Sequence, residues 1–306
     1  MATALITSGG GAKGAFTVGA LLAMQSRGLH RFDMISGTST GSLIAALVAA
    51  DDIATLRHQY LNVTPNSILT MQNLIANLTS GRPFIFDTVP LLELIRQHIT
   101  QSVFDAIMLP TAPLLCITAV SLQSGMATVF SNRNLTPPTD GAYNVRQFTS
   151  HEELVKALLA SGSQACFTPP VEIGNEQFVD GGHRDVIPTR IVIDQQIDTV
   201  FVVSNNPEKQ FTTQVQYNDM LKVLLRAIAI FVQDVRENDM RILRDYLNSH
   251  GKTLVTICPT HDLDEENPTG LRFNPGAMFA WMMEGSRIAH KVLDDHGFPW
   301  PANPPV

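Results

Sequence analysis

Two short apolar runs within the first fifty residues, TALITS and FDMIS, each end in a glycine-rich turn, and each turn opens a helical pattern. Lys13 to Ser26 places Ala15, Val18, Leu21 and Leu22 on one helical face and stops at Gly28; STGSLIAALVAA begins a second, very apolar helix. Strands that alternate with helices form a mostly parallel sheet, because each parallel pair needs a crossover and the helices then cover both sheet faces. The expected fold is therefore α/β, a three-layer sandwich with a mostly parallel central sheet.

The rest of the chain extends this pattern. Helical spacing dominates from Asp51 to about Gln101, interrupted by SGRPFIF. APLLCITAVSL and GMATVFS read as a strand pair joined through Gln123 to Gly125, RNLTPPTDGAYN as a loop, and His151 to Ala160 as a helix. Gly174 and Asn175 mark a hairpin within VEIGNEQFVDGG, and IDTVFVVSN reads as a buried strand. A helical tract from about Val215 to Asn248, a strand at KTLVTICP and a last helix from about Pro275 to His296 complete the order, and the tail PWPANPPV is extended or poorly ordered by composition.

Composition narrows the partners. A net charge of −7 and a pI near 5.7 supply no basic field for nucleic acid, and attraction to an anionic membrane would need a local patch. Cys116, Cys166 and Cys258 are few, far apart and without CxxC spacing, which argues against a disulfide framework or structural zinc and fits a reducing compartment. The N-terminus lacks a basic region ahead of a long apolar one, and the longest apolar stretches, SLIAALVAA and AIAIFV, fall short of the roughly 20 residues of a spanning helix. The expectation is a cytoplasmic protein without signal peptide or membrane span.

The second strand runs into Gly37-Thr38-Ser39-Thr40-Gly41, a GxSxG pentapeptide between strand and helix. In that context the glycines permit a sharp turn that lifts the serine hydroxyl above the carboxyl edge of the sheet, at a helix N-terminus that favours developing negative charge. The first glycine turn, Gly9-Gly10-Gly11, leaves the neighbouring strand on the same edge, so its amides are expected to face Ser39 as oxyanion donors. None of the nine histidines lies in a motif that marks it as the base for Ser39, although His290 and His296 fall late enough in the chain for a triad. Asp180, in FVDGGHRDVIP, is the better candidate because a short strand and a Gly-Gly turn project its carboxylate at a loop.

Taken in order, GGGxKG, GxSxG and DGG resemble the patatin-like phospholipase family, lipid acyl hydrolases that use a Ser/Asp dyad with no histidine. The resemblance runs roughly from Leu5 to Pro207 and takes in GALLAMQSRGL, IFDTVPLLELIRQHI and QFVDGGHRDVIPTRIVI. It implies a patatin-like variant of the α/β-hydrolase architecture, Ser39 as nucleophile, Asp180 as base, and Gly9, Gly10 and Gly11 as the oxyanion loop, with no cofactor and no metal. Lys13 matches the family's basic position after the glycines, where it supports the loop or meets a phosphate head group; a solvated first-turn lysine is the other reading. The chain departs from the family pattern at Ala165, where proline is common, and at Asp185, where asparagine is common. The expected organisation is one domain over 1–306, with 5–207 as catalytic core and 208–306 as a mainly helical part packed on it.

The implied substrate, a phospholipid or another acyl-ester lipid, needs an apolar groove. FDAIMLP, TPNSILTMQNLIANL and PGAMFAWMMEG could line one, with Met278, Trp281, Met282 and Met283 as adaptable residues, although helix core is the default assignment for these stretches. MLKVLLRAIAIFVQDV reads by default as a core-facing helix and dimer contact, with docking at a membrane surface as its alternative. Two rival functions stay open: a dinucleotide-binding oxidoreductase that uses the GxGxxG of Gly9, Gly11 and Gly14 with Asp33 as ribose acid, and a catalytically silent lipid-binding module.

Overall fold

The computed structural model describes residues 1–62, 70–71, 86–165, 167–208, 215–264, 270 and 273–300. In chain order its strands are β1 (Thr3–Thr7), β2 (Met34–Thr38), β3 (Thr70–Met71), β4 (Phe86–Asp87), β5 (Leu114–Ser121), β6 (Ala127–Ser131), β7 (Asn144–Gln147), β8 (Val171–Ile173), β9 (Glu176–Asp180), β10 (Thr199–Val203) and β11 (Thr253–Ile257). Its helices are α1 (Gly14–Ser26), α2 (Thr40–Ala49), α3 (Ile53–Asn62), α4 (Val89–His98), α5 (Gln101–Ile107), α6 (His151–Ser161), α7 (Thr189–Asp194), α8 (Met220–Ser249) and α9 (Pro275–Asp295).

The central sheet runs in the order β11-β10-β1-β2-β5-β6-β7, with β9 pairing β5 and β8 pairing β9. The five strands from β11 to β5 are mutually parallel, whereas β6 and β9 lie antiparallel to β5. Side chains alternate across this sheet as a strand's two-residue period requires. Leu5, Ile35, Ile117 and Phe201 point to a core built with α1, α2, α6 and α9, while Ala4, Ile6, Met34 and Val202 point to a second core with α7 and the C-terminal half of α8. Helix, sheet and helix thus form three layers.

Several expectations need adjusting. β7 falls at the end of the stretch read as a loop, where it pairs parallel to β6, and α7 went unread because six residues hold too little periodicity. The first helix is not one-sided: Gly14 to Leu21 are all buried because α9 packs along its other flank. Most of TPNSILTMQNLIANL, SGRPFIF and the end of the tail, together with Cys166, lie outside the described residues.

The long helix α8 splits into two environments. Met240, Leu243 and Leu247 are core residues, but they lie beyond MLKVLLRAIAIFVQDV; within that stretch Met220, Val223, Leu224, Ile230 and Phe231 are exposed while Val232 and Val235 pack partly buried against the core, so the core-facing expectation fails for most of it. Among the described residues no helix is long and apolar enough to cross a membrane.

Candidate active site

Ser39 sits between β2 and α2 with φ 57° and ψ −133°, a backbone conformation that costs a non-glycine residue of order 1–3 kcal/mol. The surroundings hold it there. Its amide donates to Ser161 Oγ at 2.9 Å, and Ser161 Oγ in turn donates to the Thr118 carbonyl at 2.6 Å. Gly41 lies so close to β1 that a Cβ would overlap the Thr7 carbonyl, which is why the pentapeptide ends in glycine. The turn therefore places the Ser39 hydroxyl in the same cavity as the carboxylate of Asp180, near enough for the hydroxyl to help hold that carboxyl down.

Asp180 ends β9 and is 5% exposed. Its amide donates to the Ser163 carbonyl at 2.7 Å, and its carboxylate accepts the Gly182 amide at 2.7 Å, so the side chain is fixed on two sides. Burial pushes its carboxyl above the ordinary value, against the opposing pull of the hydrogen bonds from Ser39 and Gly182 and the field of His183. A carboxylate so raised is a stronger base than one in water.

The glycine turn faces the same space. Gly10 has φ 150° and Gly11 φ 57°, and a Cβ on Gly9 would lie 2.9 Å from the Ser39 Cβ. The amides of Gly9, Gly10 and Gly11 have no protein acceptor among the described residues, whereas the next two, Ala12 and Lys13, donate to the carbonyls of Gly270 and Gly10. Three unspent donors beside a serine hydroxyl form an anion-receiving concavity.

Residues far along the chain clamp this turn, and sequence reading found none of them. The Asn205 side chain, just past β10, donates to the carbonyls of Ser8 and Gly9 at 3.1 and 3.3 Å and accepts from Thr17. Lys13 is buried, not solvated: its ammonium pairs with Asp262 at 2.8 Å and reaches Asn206 Oδ1 at 3.5 Å. Burial alone would push Asp262 up, but the Lys13 charge and hydrogen bond hold its carboxyl below the usual range. Lone Asn and Asp residues in loops carry no pattern that announces such a role.

Ser39, Asp180 and the three glycines line one cavity of about 210 Å³, whose walls are apolar side chains from α2, α3, α4 and α8, including Leu43, Leu47, Leu56, Ile95 and Val232. The proposed C-terminal lining is elsewhere. Met278, Trp281 and Met282 are buried against α1, Met283 is exposed, and Phe104 and Ile107 of FDAIMLP belong to the core. His290 stacks on Trp300 beside Arg27 and His296 caps α9, so neither late histidine reaches Ser39. Asp33 accepts from the amide and hydroxyl of Thr3 at the start of β1, the opposite end of the sheet from the glycine turn. That position removes it as a ribose ligand. Among the described residues no three His, Cys, Asp or Glu side chains cluster as a metal site requires.

Asp185, the departure from the family's asparagine, belongs to a carboxylate pair. Asp239 of α8 accepts the amides of Val186 and Ile187 at 2.9 and 3.0 Å and so ties the loop after Asp180 to the helix. Burial pushes Asp239 up to about 7, and burial together with the Asp239 charge holds Asp185 well above 3.8. Groups whose folded values are raised give stability that is complete below their unfolded values, near pH 4, and is lost as pH rises toward 7. Asp185→Asn removes one charge of the pair, so the variant is expected to melt a few degrees above wild type at about pH 8 and to match it at about pH 4. Thermal denaturation at the two pH values checks this; an equal shift at both would mean that the pair is not the cause.

A family model described as patatin-like phospholipase matches residues 5–193. No curated protein matches the chain. Among solved structures the chain is similar to VipD from Legionella pneumophila, with 12% identity and a TM-score of 0.47 over 96% of this chain and 67% of that one. It is also similar to the type III effector protein ExoU, with 15% identity and a TM-score of 0.45 over 96% of this chain and 53% of that one. A further structure holds full-length ExoU from Pseudomonas aeruginosa in complex with SpcU, at 15% identity and a TM-score of 0.38 over 95% of this chain and 53% of that one. The chain thus spans about two thirds of VipD and about half of ExoU.

Proposed function

The chain belongs to the patatin-like phospholipase family, and from that premise we propose that it is a phospholipase A or lysophospholipase-type esterase working through a Ser39 acyl-enzyme with Asp180 as base. The observation that carries the reading is that Ser39, the buried Asp180 carboxylate and three glycine amides without an acceptor among the described residues line one apolar cavity.

The chemistry follows from that arrangement. Asp180 takes the Ser39 proton as Oγ bonds to the ester carbonyl carbon, and the carbonyl oxygen becomes an oxyanion held by the amides of Gly9 to Gly11. When the carbonyl re-forms, the bond to the leaving oxygen breaks and Asp180 returns the proton to it, releasing an alcohol or lysolipid. Water then gives a proton to Asp180 and its oxygen to the acyl carbon, and a second collapse frees the fatty acid as Ser39 recovers its proton. Each amide donor is worth about 3–4 kcal/mol of barrier, which explains why Asn205 and the Lys13–Asp262 pair are spent on holding the turn. The acyl chain packs among the leucine and isoleucine side chains of the cavity. The test is fatty-acid release from phospholipids, lysophospholipids and short p-nitrophenyl esters; no release from any of them would leave the silent lipid-binding reading.

Access from a lipid surface is supported by the first half of α8. Ile228, Ala229 and Val232 line the cavity, while the adjoining Ile230 and Phe231 face solvent, Phe231 at 69% exposure, with Lys222 and Arg226 on the same helix. An exposed apolar helix face continuous with a lipid pocket is suited to lie in a membrane interface as a peripheral contact. Phe231→Glu replaces an inserting ring with a charge and is expected to lower hydrolysis of vesicle phospholipid about tenfold, the equivalent of about 1.4 kcal/mol. Hydrolysis of a soluble p-nitrophenyl ester should stay at the wild-type rate, and an equal loss on both substrates would refute the docking role.

A further inference from the structure

A second concavity lies at the carboxyl ends of β10 and β11, on the α8 side. It is a crevice of about 440 Å³ lined by Ser204, Glu208, Arg236, Glu237, Arg241 and Arg244, among others. Arg236 is the unusual member. Its side chain is 5% exposed, yet among the described residues its guanidinium makes one hydrogen bond, from Nη1 to the Pro207 carbonyl at 2.9 Å, and the nearest carboxylate oxygen, on Glu237, is 4.0 Å away. A buried guanidinium with most of its five donors unspent is costly unless an anion completes it. Burial accordingly lowers its hold on the proton. Arg244 pairs with Glu208 and Arg241 with the Asn238 amide oxygen, but Glu208 and Glu237 are themselves half or more exposed, so neither delivers a buried negative charge.

We propose that this crevice binds a phosphate-bearing anion, with Arg236 at its floor and Arg241 and Arg244 at its rim. Guanidinium groups match phosphate oxygens in paired hydrogen bonds, and the two rim arginines exchange surface partners for the ligand at little cost. The floor of the crevice is also the clamp on the glycine turn. Arg236 holds Pro207, Ser204 Oγ exchanges bonds with the amide and carbonyl of Asn206, Asn206 receives Lys13, and Asn205 grips Ser8 and Gly9. Anion binding therefore stiffens residues 204–207 and through them the donors that face Ser39, a consequence that rests on the esterase reading above.

Calorimetric titration of the full chain with inorganic pyrophosphate tests the site independently of any activity. Saturable binding of one equivalent is expected, weakened about tenfold or more in Arg241→Ala/Arg244→Ala; circular dichroism melts establish that this rim variant is folded, which Arg236→Ala alone would leave in doubt. Absence of saturable binding, or binding that survives the rim substitutions, overturns the site. Flotation with phosphatidylcholine vesicles, with and without phosphatidic acid, separates a lipid head group from a free phosphate compound: recruitment by phosphatidic acid that pyrophosphate competes away assigns the lipid, and pyrophosphate binding without recruitment assigns the free anion. The coupling is read from p-nitrophenyl butyrate hydrolysis, where saturating pyrophosphate should raise kcat in wild type and not in the rim variant. Binding with an unchanged kcat overturns the coupling, whereas no hydrolysis under any condition counts against the esterase reading alone.

Discussion

Asp180→Asn is expected to lower ester hydrolysis by about 10⁴-fold, and Ser39→Ala by at least as much. The asparagine keeps the shape of the side chain and can still accept the Gly182 amide, so the turn after β9 should survive. It cannot take the Ser39 proton. The two residues act as one unit, so the double variant should be no slower than either single one, which distinguishes a shared chemical step from two separate structural losses. A fluorophosphonate should label wild type at Ser39, label Asp180→Asn far more slowly and leave Ser39→Ala unmodified. Labelling of any other residue, or full activity in Ser39→Ala, would remove the assignment. Because burial raises the Asp180 carboxyl, the acid limb of the kcat/KM profile is expected above the ordinary carboxylate range.

The second large effect is on stability, far from the site. Where α1 crosses α9, Gly19 packs on the Met282 carbonyl and Gly285 on the Phe16 carbonyl, each so close that a Cβ would overlap backbone oxygen. Gly19→Val forces two helices apart, and main-chain atoms cannot yield as a flexible side chain does. A loss of about 3 kcal/mol or more is expected, with Gly19→Ala intermediate. Urea denaturation measures it. We read 1–306 as one domain, and on that reading the variant unfolds in a single transition and loses activity in proportion to its unfolded fraction. Unfolding of the C-terminal part ahead of an intact core would divide the domain instead.

The beginning of the site was legible because its instructions are local. A short apolar run, a glycine turn and a helical pattern specify strand, turn and helix within a dozen residues, and this happens at both Gly9–Gly11 and Ser39. The six-residue helix α7 and the four-residue strand β7 left too few periods to read, and β7 sits behind a loop whose Pro, Gly and Asn content dominates the pattern. That helix core is the right assignment for Met278, Trp281 and Met282, and groove lining the wrong one, has a related reason. Periodicity reveals that a helix has an apolar face, but the face of α9 met α1, while the leucines of α2 and α3 were left around the cavity.

Residue order thus determined the layered α/β class, the strained serine turn and the aspartate that ends a strand, because each depends on steric limits between near neighbours. Packing decided what those parts face. Asp262 meets Lys13 across 249 residues, Asn205 and Gly270 close on a turn at the other end of the chain, and Arg236 is buried with donors to spare among the described residues. Such pairings carry no periodicity, since they are set by which helix faces the sheet buries and by where the chain must return to bury them.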